Sequence, residues 1–129
     1  MSETYAPDGY NQVTPYLTVN DAHRLVKFLV DVFDAQVVDS AKRPDGKLAH
    51  ASIRIGDSYV EVAEATERFG PMPGAIHIYV PDVDETHRRA LERGAQLIHE
   101  PMEMDYGERA SAVIDPAGNH WYIATYRRE

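Results

Sequence analysis

The feature that most constrains this chain is that it repeats itself. Val19-Asn20-Asp21 returns as Val80-Pro81-Asp82, Ala35-Gln36-Val37-Val38 as Ala95-Gln96-Leu97-Ile98, and the turn Gly56-Asp57 as Gly118-Asn119, each about sixty residues later. A period of that length in 129 residues leaves room for two copies of one supersecondary unit and little else. The Pro/Gly-rich stretch 66–74 lies between them, so the copies run roughly over 13–65 and 75–126, with a tail over 1–12, in one domain.

The content of the unit follows from periodicity. Val13 to Val19 reads as a strand, closed by Asn20-Asp21, which favour helix N-caps. Leu25, Phe28, Leu29, Val32 and Phe33 then make the single stripe of an amphipathic helix. Strands are expected over Ala35 to Ala41, Leu48 to Ile55 and Ser58 to Ala65, separated by the turn signals Pro44-Asp45-Gly46 and Gly56-Asp57. The second copy repeats this order. A strand Ala75 to Val80 leads to an Asp82-capped helix with Val83, Ala90 and Leu91 on one face and Gly94 at its end. Strands Ala95 to Glu100, Glu108 to Ile114 and His120 to Thr125 follow, the last two joined by the turn Asp115-Pro116-Ala117-Gly118-Asn119. The expected fold is α+β: two βαβββ modules forming an eight-stranded, U-shaped mixed sheet with its helices on the outer face.

Strand side chains alternate between faces. The apolar sets, such as Ile53 and Ile55, Val60 and Val62, Ile76 and Ile78, and Trp121 and Ile123, suit a face covered by helices. The opposite sets hold Thr14 and Tyr16, His50, Ser52 and Arg54, Tyr59 and Glu61, His77 and Tyr79, and His120 and Tyr122. A face that merely met water would carry more Lys and Glu. In a curled sheet these residues converge into a polar-aromatic cavity suited to a small molecule.

Thr14-Pro15-Tyr16-Leu17-Thr18-Val19-Asn20-Asp21, Arg54-Ile55-Gly56-Asp57-Ser58, His77-Ile78-Tyr79-Val80-Pro81-Asp82 and Asp115-Pro116-Ala117-Gly118-Asn119-His120-Trp121, in this order, resemble the vicinal oxygen chelate superfamily of glyoxalase I, bleomycin-resistance proteins and extradiol dioxygenases. Tyr106-Gly107-Glu108-Arg109 ahead of the last turn is similar to its PhnB-like branch. The resemblance implies the paired βαβββ architecture, a homodimer with modules exchanged between chains in many relatives, and a divalent metal held by one residue on each of four strands. Those positions here are Thr14, Glu61, His77 and Tyr122. Glu61 and His77 suit a metal, whereas Thr14 and Tyr122 replace better ligands. Gln12, His50 and His120 share the cavity side.

The residues have plainer readings too. Glu61 and His77 also make sense as a hydrogen-bonded pair in a cavity, or as general base and proton donor with Tyr122 as the alternative donor. Tyr16, Tyr79, Tyr106 and Tyr122 suit stacking on a planar ligand, Arg109 an anion or a neighbouring carboxylate, and Trp121 the core. The run His87-Arg88-Arg89 reads as the wet face of the second helix.

The leading expectation is a small-molecule-binding protein, metal-independent or weakly metal-binding, with a pocket of Thr14, Tyr16, His50, Glu61, His77, Tyr79, Tyr106, Arg109 and Tyr122. The alternatives are a divalent-metal-dependent lyase, isomerase or extradiol-type dioxygenase using Glu61 and His77, and a non-catalytic interaction module. A net charge of −8 disfavours nucleic acid, and no apolar run predicts a membrane span. The absence of cysteine excludes disulfides and thiolate chemistry, and with a polar tail in place of a leader points to the cytoplasm.

Overall fold

The computed structural model describes residues 5–127. The first module comprises β1 (Tyr16–Val19), α1 (Ala22–Phe33), β2 (Gln36–Lys42), β3 (Leu48–Ile55) and β4 (Ser58–Glu64); the second comprises β5 (Ala75–Tyr79), α2 (Val83–Glu92), β6 (Gln96–Met104), β7 (Glu108–Ile114) and β8 (His120–Tyr126). Each module is a four-stranded mixed sheet, in the order β1-β4-β3-β2 and β5-β8-β7-β6, with one parallel pair and two antiparallel pairs. The eight strands are thus divided equally between two sheets. No helix among the described residues is long and apolar enough to cross a membrane.

The helices stand where the apolar stripes require. α1 buries Ala22, Leu25, Phe28, Leu29, Val32 and Phe33. It ends at Asp34 in the left-handed region (φ 56°), a conformation that Asp tolerates better than most residues. α2 buries Val83, Thr86, His87 and Ala90, and Gly94 (φ 101°) ends its last turn. His87 therefore does not belong to a wet face. It is 3% exposed, with Nδ1 2.9 Å from Ser111 Oγ and Nε2 3.2 Å from Glu100 Oε1. Its spacing from Val83 and Ala90 is the helical one, which the flanking arginines obscured.

One core joins the modules. Leu17, Val19, Ile53 and Val62 from the first sheet pack with Val113, Trp121 and Ile123 from the second beneath the helices. The Phe33 ring, at the end of α1, lies 4.7 Å from that of Trp121 on β8. Burying side chains of this size contributes about 1.5–3 kcal/mol each before entropy is counted.

Three sequence expectations shift. The first strand begins at Tyr16; Val13 is 84% exposed and Thr14 precedes the sheet. The sixth strand runs on to Met104 through Pro101, which an edge strand with register shifts tolerates. Asp21 caps α1 without a side-chain hydrogen bond, and Glu64 on β4 instead accepts from the N–H groups of Asp21 and Ala22, both at 2.9 Å. In the second module Asp82 does cap α2, accepting from Glu85 N–H at 3.2 Å, and Thr125 on β8 accepts from Val83 N–H at 2.9 Å and donates to the Val80 carbonyl.

Candidate functional site

The Asp115–Asn119 turn sets the position of β8 and of the linker into β5. Asp115, 4% exposed, accepts from the backbone N–H of Ala117 and Asn119, from Asn119 Nδ2 and from Trp121 Nε1, at 2.8–3.0 Å. Asn119 Oδ1 in turn accepts from Gly74 N–H at 2.8 Å, directly ahead of β5. Trp121 packs in the core as expected and adds this anchor. The motif is structural, and its product is a fixed β5–β8 pair.

On that pair His77 faces Tyr122 and Tyr79 faces Ala124. In the first module the matching parallel pair sets Tyr16 opposite Glu61. The two registers correspond, so the strand position in the first module that matches His77 is Tyr16 rather than Thr14. The same match follows from the repeat that sets Val19 on Val80, whereas Thr14 came from the family resemblance.

The faces turned away from the helices form two clusters. In the first, Glu61 is held by His50 Nε2 and by Ser52 Oγ, which donates at 3.1 Å, and the Tyr16 ring lies 6.1 Å from that of His50. In the second, His77 Nε2 is 3.5 Å from Glu108 Oε2 and its ring 4.7 Å from that of Tyr79. The Glu108 carboxylate holds the Tyr79 phenol above its ordinary pKa, with burial and the Tyr106 and Tyr126 phenols adding to the effect. Ala110, Ala112 and Ala124 make a low floor here, each no more than 6% exposed, and Tyr79, Tyr106, Tyr122 and Tyr126 rise from it with 40–63% exposure.

Glu61 and His77 are therefore not a pair: each has found another partner on its own sheet. Glu108, which the sequence suggested only as a turn-side neighbour for Arg109, is the carboxylate of the second cluster. Arg109 points the other way, toward α2, where Asp84 accepts at 2.8 and 2.9 Å and Glu103 at 3.3 Å. These bonds, Asp84 first, hold the Arg109 pKa above its ordinary value and keep Asp84 below the usual carboxylate range. Arg109 is thereby placed outside the pocket face. Gln12 sits in the tail with its amide on Tyr5 Oη.

A cleft of about 620 Å³ runs along the free edge of β5 between the modules. Ile76, Ile78 and Val80 line it from one face of that strand and His77 and Tyr79 from the other, joined by Trp121 beside Ile76 on β8 and by Thr14 and Tyr59 of the first module. It adjoins the second cluster but takes in neither Glu61 nor Tyr122.

The donor set does not fit a metal centre within one chain. Phenols occupy two of the four matching strand positions, Tyr16 and Tyr122, and Glu61 and His77 are engaged separately. Among the described residues no three His, Asp or Glu side chains gather at metal-binding distance.

Residues 9–123 match the model of the Glyoxalase/Bleomycin resistance protein/Dioxygenase superfamily. The chain is 34% identical to the uncharacterized protein Rv0887c of Mycobacterium tuberculosis, a match covering 100% of this chain and 82% of that protein. Its fold is similar to that of TioX from Micromonospora sp. ML1 (TM-score 0.76, 24% identity, 90% of this chain and 98% of that one). It is also similar to the fosfomycin resistance protein FosX from Mesorhizobium loti (TM-score 0.66, 20% identity, 89% and 91%). At these identities the two structural likenesses concern the fold.

Proposed function

The chain belongs to the Glyoxalase/Bleomycin resistance protein/Dioxygenase superfamily, and on that footing we propose that it is a small-molecule-binding protein whose pocket is built on the sheet faces turned away from the helices. One observation carries this reading: both faces present histidine, carboxylate and exposed tyrosine, and in the second module they do so over a floor of alanines. Rings of this kind offer stacking area at small conformational cost, and the carboxylates and imidazoles orient a ligand. Superfamily membership and the likeness to a fosfomycin resistance protein support a small organic ligand. The sequence Tyr106-Gly107-Glu108-Arg109 supports the PhnB-like branch, and the lack of cysteine supports a reducing, cytoplasmic setting.

On this reading the pocket needs no tightly held metal, because its histidines and carboxylates lie in two separate clusters that do not converge on one point. A thermal-shift screen of planar organic compounds tests it. Hits whose stabilisation disappears in Tyr122→Ala and Tyr16→Ala are expected; a screen without hits argues for the non-catalytic interaction module.

A second reading has one observation in its favour. Each module carries one histidine–carboxylate pair, His50–Glu61 and His77–Glu108, and β1 and β5 each end a sheet. A homodimer joined through those edges would bring the first pair of one copy to the second pair of its partner, giving a divalent metal four donors for a lyase, isomerase or dioxygenase. Sedimentation and elemental analysis of dialysed protein test this together: a dimer whose metal is lost in both Glu61→Ala and His77→Ala is required.

A further inference from the structure

Glu108 is the most enclosed carboxylate on either pocket face, its side chain 7% exposed, and it forms no hydrogen bond with a basic side chain. Its position follows from the floor. Glu108 lies opposite Tyr126 at one end of the β7–β8 pair, while Tyr79 lies opposite Ala124 one step inward. Because Ala110 and Ala124 are small, the carboxylate reaches across β8 toward β5, where its basic neighbour is His77 Nε2 at 3.5 Å, too long for a hydrogen bond.

Among the described residues the permanent cations nearby are turned away. Arg109 follows Glu108 in sequence but is bound to Asp84 and Glu103, and Arg127 follows Tyr126 but reaches Glu103 at 3.2 Å. No Lys or Arg stands at the positions of β5, β7 and β8 that share this face with Glu108. A carboxylate held out of water beside several tyrosine rings, with no permanent counter-ion among the described residues, has the composition that favours an organic cation: charge attraction in a partly dry site and cation–π contact with the walls. The net charge of −8 adds long-range attraction of the same sign.

Resting on the pocket reading above, we infer that the second module's face is the subsite for a cationic, planar organic ligand, with Glu108 as its counter-ion and Tyr79 and Tyr126 as its aromatic walls.

The test is fluorescence titration of the full chain at neutral pH with 9-aminoacridine, which is cationic, and acridine, its uncharged counterpart. The cation is expected to bind at least about tenfold tighter. Glu108→Gln should erase that preference and leave acridine binding as it was, while Glu67→Gln, which removes an exposed charge elsewhere, should change neither. Tyr126→Leu removes an exposed ring that the core does not use, so it reports even where Glu108→Gln folds poorly; it should weaken 9-aminoacridine by about threefold or more. Equal affinity for the two dyes overturns the inference and leaves the pocket reading intact. A preference that survives Glu108→Gln also overturns it, and binding of neither dye does the same, with the compound screen then judging the pocket by itself.

Discussion

Glu61 is held by His50, the imidazole on the neighbouring antiparallel strand, with the Ser52 hydroxyl as its second donor. The carboxylate is 15% exposed and faces Tyr16 across the parallel pair. It thus organises three side chains of the first module's face. Glu61→Ala strands the Ser52 hydroxyl and the His50 ring and is expected to cost about 1–3 kcal/mol. Urea denaturation measures this, and Glu61→Gln, which keeps an acceptor, should cost less. A fully neutral Glu61→Ala would mean the cluster is not formed in solution.

Glu64 holds the start of α1 from a strand 42 residues away. Glu64→Ala leaves one buried and one part-buried N–H group at the start of α1 without an acceptor, a loss of about 1–3 kcal/mol. Thermal denaturation should show it as a lower Tm, whereas Asp21→Ala, which removes a side chain that makes no capping bond, should not lower Tm by this route.

Asp115 accepts four hydrogen bonds inside the Asp-Pro-Ala-Gly-Asn turn and fixes the β8 register on which the second cluster depends. Asp115→Ala is expected to lose about 3 kcal/mol or more. Trp121, the sole tryptophan, reports the transition by its fluorescence. Trp121→Phe, which gives up one of the four bonds and is followed by far-UV circular dichroism because it lacks the tryptophan, should be milder.

Tyr79 titrates above its ordinary value of 10.0 because Glu108 opposes its charge. The folded protein then keeps this proton where the unfolded chain has lost it. The associated stability is complete below the unfolded pKa and disappears as pH rises through the folded one. Phenolate absorbance, with Tyr79→Phe as the difference reference, should show the Tyr79 step moving to lower pH in Glu108→Gln. An unmoved step would place the carboxylate elsewhere.

Much of the fold was legible because local periodicity carries it. Leu48–Ile55 and Glu108–Ile114 fall where alternation put them, and the α1 stripe is the one read from Leu25 to Phe33. The site was less legible because its relationships span the chain. That Tyr16 faces Glu61 needs the register of β1 on β4, and Glu64 as a cap needs the tertiary fold. The partners of Glu61 and His77 depend on which neighbouring strand offers a complementary group. Glu108 stands at a strand start, where the sequence offers it only as a neighbour for Arg109, and His87 looked solvated because arginines follow it; only the covering elements reveal either as buried.

The central claim is that ligands sit on the sheet faces turned from the helices. Amide chemical-shift mapping during titration with a screened ligand tests it most directly. Shifts are expected to centre on Ala110, Ala112, Ala124 and Tyr122, extending to Ser52 and Glu61 where both modules contribute. Shifts confined to Ile76, Ile78, Val80 and Trp121, the walls of the β5-edge cleft, would contradict it.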